Sequence, residues 1–499
     1  MSGSLYETAA PVRLPGEVSV VNAGLPLFAE AIASQGRPVV QLDWRIPGGG
    51  DPDVVAALRR LSGPKTAVID AANAEVYRRL DKGVPQATAV RPAAEVIPAL
   101  GGEPLILHSG PHIDYGRACD PLRRSMRAAV IAEGWATNPN QAAMRLASGQ
   151  VRTEPANAHG VVVPMATAMG PRTPVWVVEL AEAGIQAYAP VGQGSGDVAW
   201  FGKDSPGAIE RLTLLRDAAG PVLADAVAMT GPLNVLSLAA QAVAMGDDVH
   251  VRTQASTNLL LRTLLPALVR GAHPRRAEVA EFLSANYLLF LSLAMAAARA
   301  LTTWAGEVES SSIVTGMSRN GSDFAVWLAG PGVAWQYSDS PLVGSALYQP
   351  GRSDADAAPD IGDSCVLELI GLGGACAAGS PAVAQMVGGT MADAARLTER
   401  LDLVCVGRST RFTLPTWGMR GSPVGVDVRR VVELGITPRV TTGILHNSDG
   451  SGQIGAGVAV APIEVFTKAL LDLDARVVSA LRSADSARQA VRSANYGPR

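Results

Sequence analysis

The chain has 499 residues, 48% of them hydrophobic and 17% charged, with a formal net charge of -3, which excludes a disordered protein and a small scaffold held by disulfides or metal. Its 42 Lys and Arg residues nearly balance 45 Asp and Glu residues, so no single-sign field steers it to nucleic acid or anionic lipid. An anionic ligand would need a few placed cations.

The first hundred residues read as a strand-helix alternation. Glu17 to Val21 is a short β-type run, Asn22 to Gly24 a turn, Pro26 to Ser34 a helix, and Arg37 to Trp44 a second strand. Asp51-Pro-Asp53 opens a helix through Leu61, with Asp51 as N-cap and Pro52 in the first turn. Lys65 to Asp70 repeats the strand pattern and Asn73 to Leu80 the helix. This rhythm predicts a Rossmann-like, doubly wound α/β domain over 16–120. In such domains ligands sit beyond the carboxyl ends of strands, here Asn22 to Gly24, Asp43 to Gly50 and His108 to Asp114.

A mainly helical block follows over 121–305. Pro121 to Leu146, Pro206 to Gly246 and Ser256 to Trp304 are rich in Ala and Leu at helical spacing, interrupted by a two-strand excursion at Val175 to Val178 and Gln186 to Pro190. The most apolar run, Tyr287 to Ala298, is bounded by Asn286 and Arg299. It falls well short of the roughly 20 residues of a bilayer span and reads as a buried core helix. Residues 306–482 return to short strands and Gly-rich turns, an α+β domain with helices at Asp393 to Arg400 and Pro462 to Leu481; 483–499 lacks an apolar stripe and reads as a tail. Cys119, Cys365, Cys376 and Cys405 form no C-x-x-C pair, and Met1 to Pro15 has no signal-peptide pattern. A cytoplasmic protein with reduced thiols is expected.

The 52 glycines and 34 prolines gather in compact turns beside polar residues, which marks binding loops rather than low complexity. Six histidines are available. His250, in Met245-Gly-Asp-Asp-Val-His-Val-Arg252, adjoins Asp247, Asp248 and Arg252; the alternative to a functional role is a helix-capping or core histidine. His108 with His112, or Asp247 with His250, could give two metal ligands, but neither has H-E-x-x-H spacing and Gly110-Pro111 breaks any helical face. No metal and no cofactor is expected. Arg319-Asn320-Gly321 is either an arginine fork for a carboxylate or phosphate, or an Asn-Gly hairpin with a surface arginine. Asp360, Asp363 and Ser364 are either ligand groups or Asx-turn formers. The G-x-G-x-x-G spacing over Gly450 to Gly457 follows a loop rather than a strand, so it is not read as a dinucleotide fingerprint. Ser409-Thr-Arg411 is similar to the phosphate loop of aspartate and ornithine carbamoyltransferases, but Phe412 to Pro415 cannot open a helix there.

Taken in order, the loops resemble the YlbE-like family, whose members include one subunit of the oxamate carbamoyltransferase of allantoin breakdown. The resemblance runs from about Val18 to Leu481 and is carried by Val21 to Gly24, Leu42 to Arg45 with Gly49 to Asp51, His108 to Pro111, Glu133 to Trp135, Pro164-Met165, Met245 to Asp247 with His250 and Arg252, Thr315 to Gly321, Pro359 to Ser364, Arg420 to Pro423 with Asp427, Thr442-Gly443 with His446, and Gly452 to Gly457. The resemblance implies carbamoyl transfer between phosphate and a small amide or ureide, oxalurate and phosphate giving oxamate and carbamoyl phosphate. It also implies an acyl-CoA-synthetase-like partner subunit and a third small subunit; a homo-oligomer is a further option.

Within that reaction His250 is expected as acid/base, Asp247 as its orienting group, and Arg252, Arg319 and Asn320 on anionic substrate groups. Gly321, Asp360, Asp363, Ser364, Arg420, Asp427, His446, His108, Asn22 and Gly24 complete the expected substrate contacts. The chain departs from the family pattern in Gly192-Gln-Gly194 and Trp200-Phe-Gly202, where Gln193 replaces a carboxylate and Trp200 a cation. It also departs at His112, at Val251 and Thr253, and at Leu369. Two other readings stay open: a non-catalytic scaffold for the partner subunit, and a divergent member acting on another acceptor in a biosynthetic setting.

Overall fold

A computed structural model describes residues 19–42, 46–63 and 66–495, with side chains through 479. The expected strand residues Glu17, Asp43, Trp44 and Lys65 and the Met1 to Pro15 segment lie outside the described residues.

The N-terminal region builds one β-α-β unit. Val20–Asn22 and Val39–Gln41 pair in parallel, joined by the helix Pro26–Ala33. Asp51 caps the helix Pro52–Leu61 as expected, its carboxylate accepting from the N–H groups of Asp53 and Val54 at 2.9 and 3.2 Å. The next segment differs from expectation. Ala67–Lys82 is one helix, because its buried residues Ile69, Asn73, Val76 and Leu80 recur at helical spacing and form one face. Among the described residues no third parallel strand therefore extends the first two.

The doubly wound sheet expected over 16–120 is accordingly replaced by strands that enter three separate sheets. Gln86–Pro92 runs antiparallel to Pro174–Leu180 and to Leu233–Asn234, and Leu105–His108 pairs in parallel with Arg152–Pro155. The predicted excursion is present as a hairpin of Pro174–Leu180 and Ile185–Pro190. Around these sheets the chain is a mixed α/β protein.

Helices occupy stretches expected to be helical, among them Asp120–Ala132, Pro139–Ala147, Val235–Ala244 and Gln254–Arg270. Among the described residues the longest mostly buried helix is Leu289–Gly306. By length and composition this helix could cross a membrane, but 78% of it is buried inside the protein. Leu293, Ala297 and Leu301 on it are fully buried in the largest apolar cluster, along with Trp176, Leu223 and Val235. The hydrophobic effect therefore fixes it as the core helix.

The C-terminal region carries a four-stranded antiparallel sheet in the order Gln336–Asp339, Asp323–Leu328, Val314–Asn320, Ile361–Gly362, and a three-stranded one in which Gln453–Val460 lies between Ser345–Tyr348 and Arg439–Leu445. Ser409 to Arg411 fall inside the strand Cys405–Leu414, so no helix opens at that motif. The last helix, Ile463–Asn495, runs past its expected end at Leu481.

Candidate active site

The loop between Val235–Ala244 and Gln254–Arg270 is wound around one carboxylate. Asp248, fully buried, accepts from the backbone N–H groups of His250 at 3.2 Å and Arg252 at 2.8 Å and from the Thr441 hydroxyl at 3.0 Å. Between them Val249 is held at φ 60°, a left-handed conformation that costs a β-branched residue on the order of 1–3 kcal/mol. The turn directs His250 at Glu368: Nδ1 lies 2.8 Å from Glu368 Oε1, both side chains being buried. Oε1 also accepts from the N–H groups of Gly374 at 3.1 Å and Thr441 at 3.2 Å. Facing a carboxylate, Nδ1 carries the proton and Nε2 is left as the basic nitrogen.

This corrects the expected role of Asp247. Its carboxylate accepts from the N–H and the hydroxyl of Ser256 at 2.8 and 3.0 Å and lies 3.7 Å from Arg252, so it secures the start of the next helix while Glu368 orients the imidazole. Glu368 was missed in the sequence. Its signal was one acidic residue inside the apolar run Val366 to Leu372, a residue type almost never fully buried without a partner. Gly373 makes the approach possible: at φ 57°, a Cβ there would sit 2.1 Å from Glu368 Oε1.

Arg319 enters from the strand Val314–Asn320, whose residues Arg319 and Asn320 pair with Gly362 and Ile361. Its guanidinium is completely buried, with Nε 3.2 Å from Asp360 Oδ2 and Nη2 donating to Ile361 O at 3.2 Å and to Ser364 Oγ at 3.4 Å. Asp360 in turn accepts from the Thr442 hydroxyl at 2.9 Å. Burial pushes the Asp360 carboxyl above the usual range, and the Arg319 charge opposes that shift. Arg319, expected on an anionic substrate group, thus forms an ion pair with Asp360 and touches Ser364.

Asn320 is a hairpin former, accepting from the N–H groups of Ser322 and Asp323 at 2.9 and 2.6 Å; Gly321 follows at φ 79°. Asn320 Nδ2 also donates to Pro111 O at 3.1 Å, and Asp363 accepts from Gly110 N at 3.0 Å, from Val163 N at 3.1 Å and from Ser318 Oγ at 2.5 Å. Thus the His108-Ser-Gly-Pro111 and Arg319-Asn-Gly321 segments, 209 residues apart in the chain at this contact, meet through the Asn320 amide, with Asp363 tying Gly110 to Ser318 beside it.

His250 and Ser364 line a cavity of about 60 Å3. Met165, Phe201, Trp200 and Leu291 supply its apolar wall, Tyr287, Leu288, Val251 and Ala456 more of it, and Gln453 and Gly443 close it on the strand side. Met165 is itself left-handed at φ 52° and packs over Gly362, where a Cβ would lie 2.5 Å from Met165 N. Strained backbone flanks the cavity at two points, as at ligand clamps. Of the departing residues Trp200 and Val251 line the cavity; Trp200 N donates to Gln193 Oε1 at 3.0 Å and the indole N–H to Gly194 O at 2.8 Å.

The remaining expected residues do not line this cavity. His108 is fully buried with Nδ1 2.8 Å from Ser109 O, and burial pulls its pKa down to about 4. His446 accepts at Nδ1 from the N–H groups of Ser448 and Asp449, both at 3.2 Å. Asp427 caps Val428–Leu434 and pairs with Arg429 at 2.9 Å. Arg420 is exposed over the Trp417 ring at 5.1 Å. Asn22 bonds Leu25 O and Gln41 next to Gly24 in the N-terminal unit, and the Arg252 guanidinium donates to Gly246 O at 2.9 Å. Among the described residues no three His, Cys, Asp or Glu side chains gather to hold a metal ion.

The profile of the family described as oxamate carbamoyltransferase subunit AllG matches residues 151–364. The oxamate carbamoyltransferase subunit AllG of Escherichia coli (strain K12) is 36% identical over 403 residues, covering 80% of this chain and 96% of that protein. The uncharacterized protein YahG of the same organism is 31% identical over 457 residues, 91% of this chain and 96% of its own length. A crystal structure of a conserved protein of unknown function from Enterococcus faecalis V583 superposes with a TM-score of 0.79 at 32% identity, covering 82% of this chain and 98% of the other.

Proposed function

Because the chain belongs to the family of the oxamate carbamoyltransferase subunit AllG, we propose that it is a subunit of a carbamoyltransferase and carries that enzyme's acid/base group, His250. The observation that carries the reading is the buried His250–Glu368 pair at 2.8 Å on the wall of a cavity. In the phosphorolytic direction an oxygen of hydrogen phosphate attacks the carbamoyl carbon of a ureide, and its proton passes to His250 Nε2. The carbon–nitrogen bond then breaks, and the same proton moves from Nε2 to the departing amide nitrogen. The products are carbamoyl phosphate and an amide, oxamate when the ureide is oxalurate. Glu368 stabilises the imidazolium formed between the two transfers.

The partner subunits are an acyl-CoA-synthetase-like protein and a small third subunit. Support comes from the N-terminal β-α-β unit, where Leu25, Leu27 and Phe28 are 66%, 66% and 57% exposed, a surface suited to a covering chain. The same patch favours the scaffold reading as the second choice. The deciding experiment is phosphate-dependent formation of carbamoyl phosphate from oxalurate and other ureides, with and without the partner subunits. Loss of turnover in His250→Ala supports the catalytic role; full turnover in that variant assigns the chain to scaffolding.

A further inference from the structure

Every side chain that lines the cavity beside His250 is uncharged or is His250 itself: no Lys, Arg, Asp or Glu contributes to its wall. Arg319, a buried cation in contact with the wall residue Ser364 through Nη2 at 3.4 Å, does not line the cavity and stands 3.2 Å from Asp360. Trp200 offers carbon only, since its indole N–H is bonded to Gly194 O at 2.8 Å and its main-chain N–H to Gln193 at 3.0 Å. Phe201 lies against it with ring centroids 5.7 Å apart, and Leu291 adds to the same apolar surface. Polar side chains on the wall are His250, Ser364, Gln453 and Tyr287, none of which carries a fixed charge. The space, about 60 Å3, is several times the roughly 10–15 Å3 that one water requires, enough for a few heavy atoms.

A carboxylate placed against the Trp200 and Leu291 side chains would lose its hydration without meeting a cation on that surface, whereas a short alkyl group would gain contact with them. An amide placed against His250 and Ser364 would keep its hydrogen bonds. We propose that this cavity selects an amide acceptor with an uncharged, apolar tail, and that Trp200 is the residue setting the size of that tail. The proposal rests on the carbamoyltransferase reading for its chemistry, but the binding preference stands on the cavity alone.

The test is titration of the full-length chain with two amides of similar size, isobutyramide and oxamate, followed by ligand-induced change in Trp fluorescence and by calorimetry. Isobutyramide is expected to bind at least about tenfold more tightly, in the range that a methylene or two is worth in an apolar pocket. Trp200→Ala should move the preference by about tenfold toward a longer amide such as hexanamide, and Trp200→Phe, which keeps a folded aromatic wall, should move it less in the same direction. Oxamate binding as well as or better than isobutyramide overturns the proposal, as does absence of binding by both. Isobutyramide binding without carbamoyl transfer to any amide would remove the transferase reading and leave the cavity's preference standing.

Discussion

Glu368 Oε1 is shared by the His250 ring at 2.8 Å and the main-chain N–H groups of Gly374 and Thr441 at 3.1 and 3.2 Å. Two backbone donors thus fix the carboxylate before it fixes the imidazole. A charge held this way orients its partner at little entropic cost, because neither end has to be ordered when substrate arrives.

Glu368→Gln keeps the shape of this arrangement and removes its charge. The rate of carbamoyl phosphate formation should fall about 10²–10⁴-fold with little change in KM, since the imidazolium formed during transfer loses its counter-charge. Steady-state kinetics on the variant, with circular dichroism to show that the fold is retained, checks this; a wild-type kcat would remove Glu368 from the mechanism.

Arg319→Met leaves the Asp360 carboxylate buried without a cation, both side chains being fully inaccessible. The expected cost is about 3–5 kcal/mol, with a large part recovered in the double variant Arg319→Met, Asp360→Asn. Urea denaturation of the two variants measures it. An equal loss in single and double variants would mean that the pair is not energetically coupled.

His108 sets a pH dependence. Its pKa is about 4 in the folded chain against 6.5 for a free histidine. The unfolded chain therefore binds a proton that the folded chain refuses between those values, and stability falls as pH drops through that window, by up to roughly 3 kcal/mol. Buried carboxylates such as Asp360 and Asp363, raised by burial, act in the opposite sense and lose part of their penalty on acidification. Comparing wild type with His108→Gln isolates the histidine: the variant should lose less stability between pH 6.5 and 4.

Phe28→Asp tests the N-terminal unit as the partner surface. Since Phe28 is 57% exposed, the isolated chain should keep its stability within about 0.5 kcal/mol. Co-purification with the partner subunits should be lost. Retained assembly would direct attention to another face.

The helices were legible because their burial patterns are periodic: Asp51 capped where expected, and the apolar run from Tyr287 to Ala298 became the start of the core helix Leu289–Gly306. The segment after Gly63 was not. Its apolar residues Val68, Ile69 and Val76 suit a strand or a helix, and only the buried face shared by Ile69, Asn73, Val76 and Leu80 decides for the helix. With that strand gone, no doubly wound sheet could grow from Val20–Asn22 and Val39–Gln41, and the following strands found antiparallel or distant partners instead.

The sequence by itself determined the family, the mixed α/β character and the loops that matter, because glycines beside polar residues mark where backbone must turn or approach closely. It also singled out His250 and Ser364, which share the cavity, and Arg319, which stands behind Ser364. Only the tertiary structure decided what each does. Whether a carboxylate caps a helix, pairs with an arginine or orients a histidine depends on which group is packed against it, nine residues away for Asp247 and Ser256 but 118 for Glu368 and His250. Hence Asp247 and Glu368 exchange roles, the one local sign being the lone acid of the apolar run Val366 to Leu372. Desolvation is a property of that packing: it makes Arg319 an internal counter-ion, keeps His108 neutral, and leaves His250 with one anchored nitrogen and one free for chemistry.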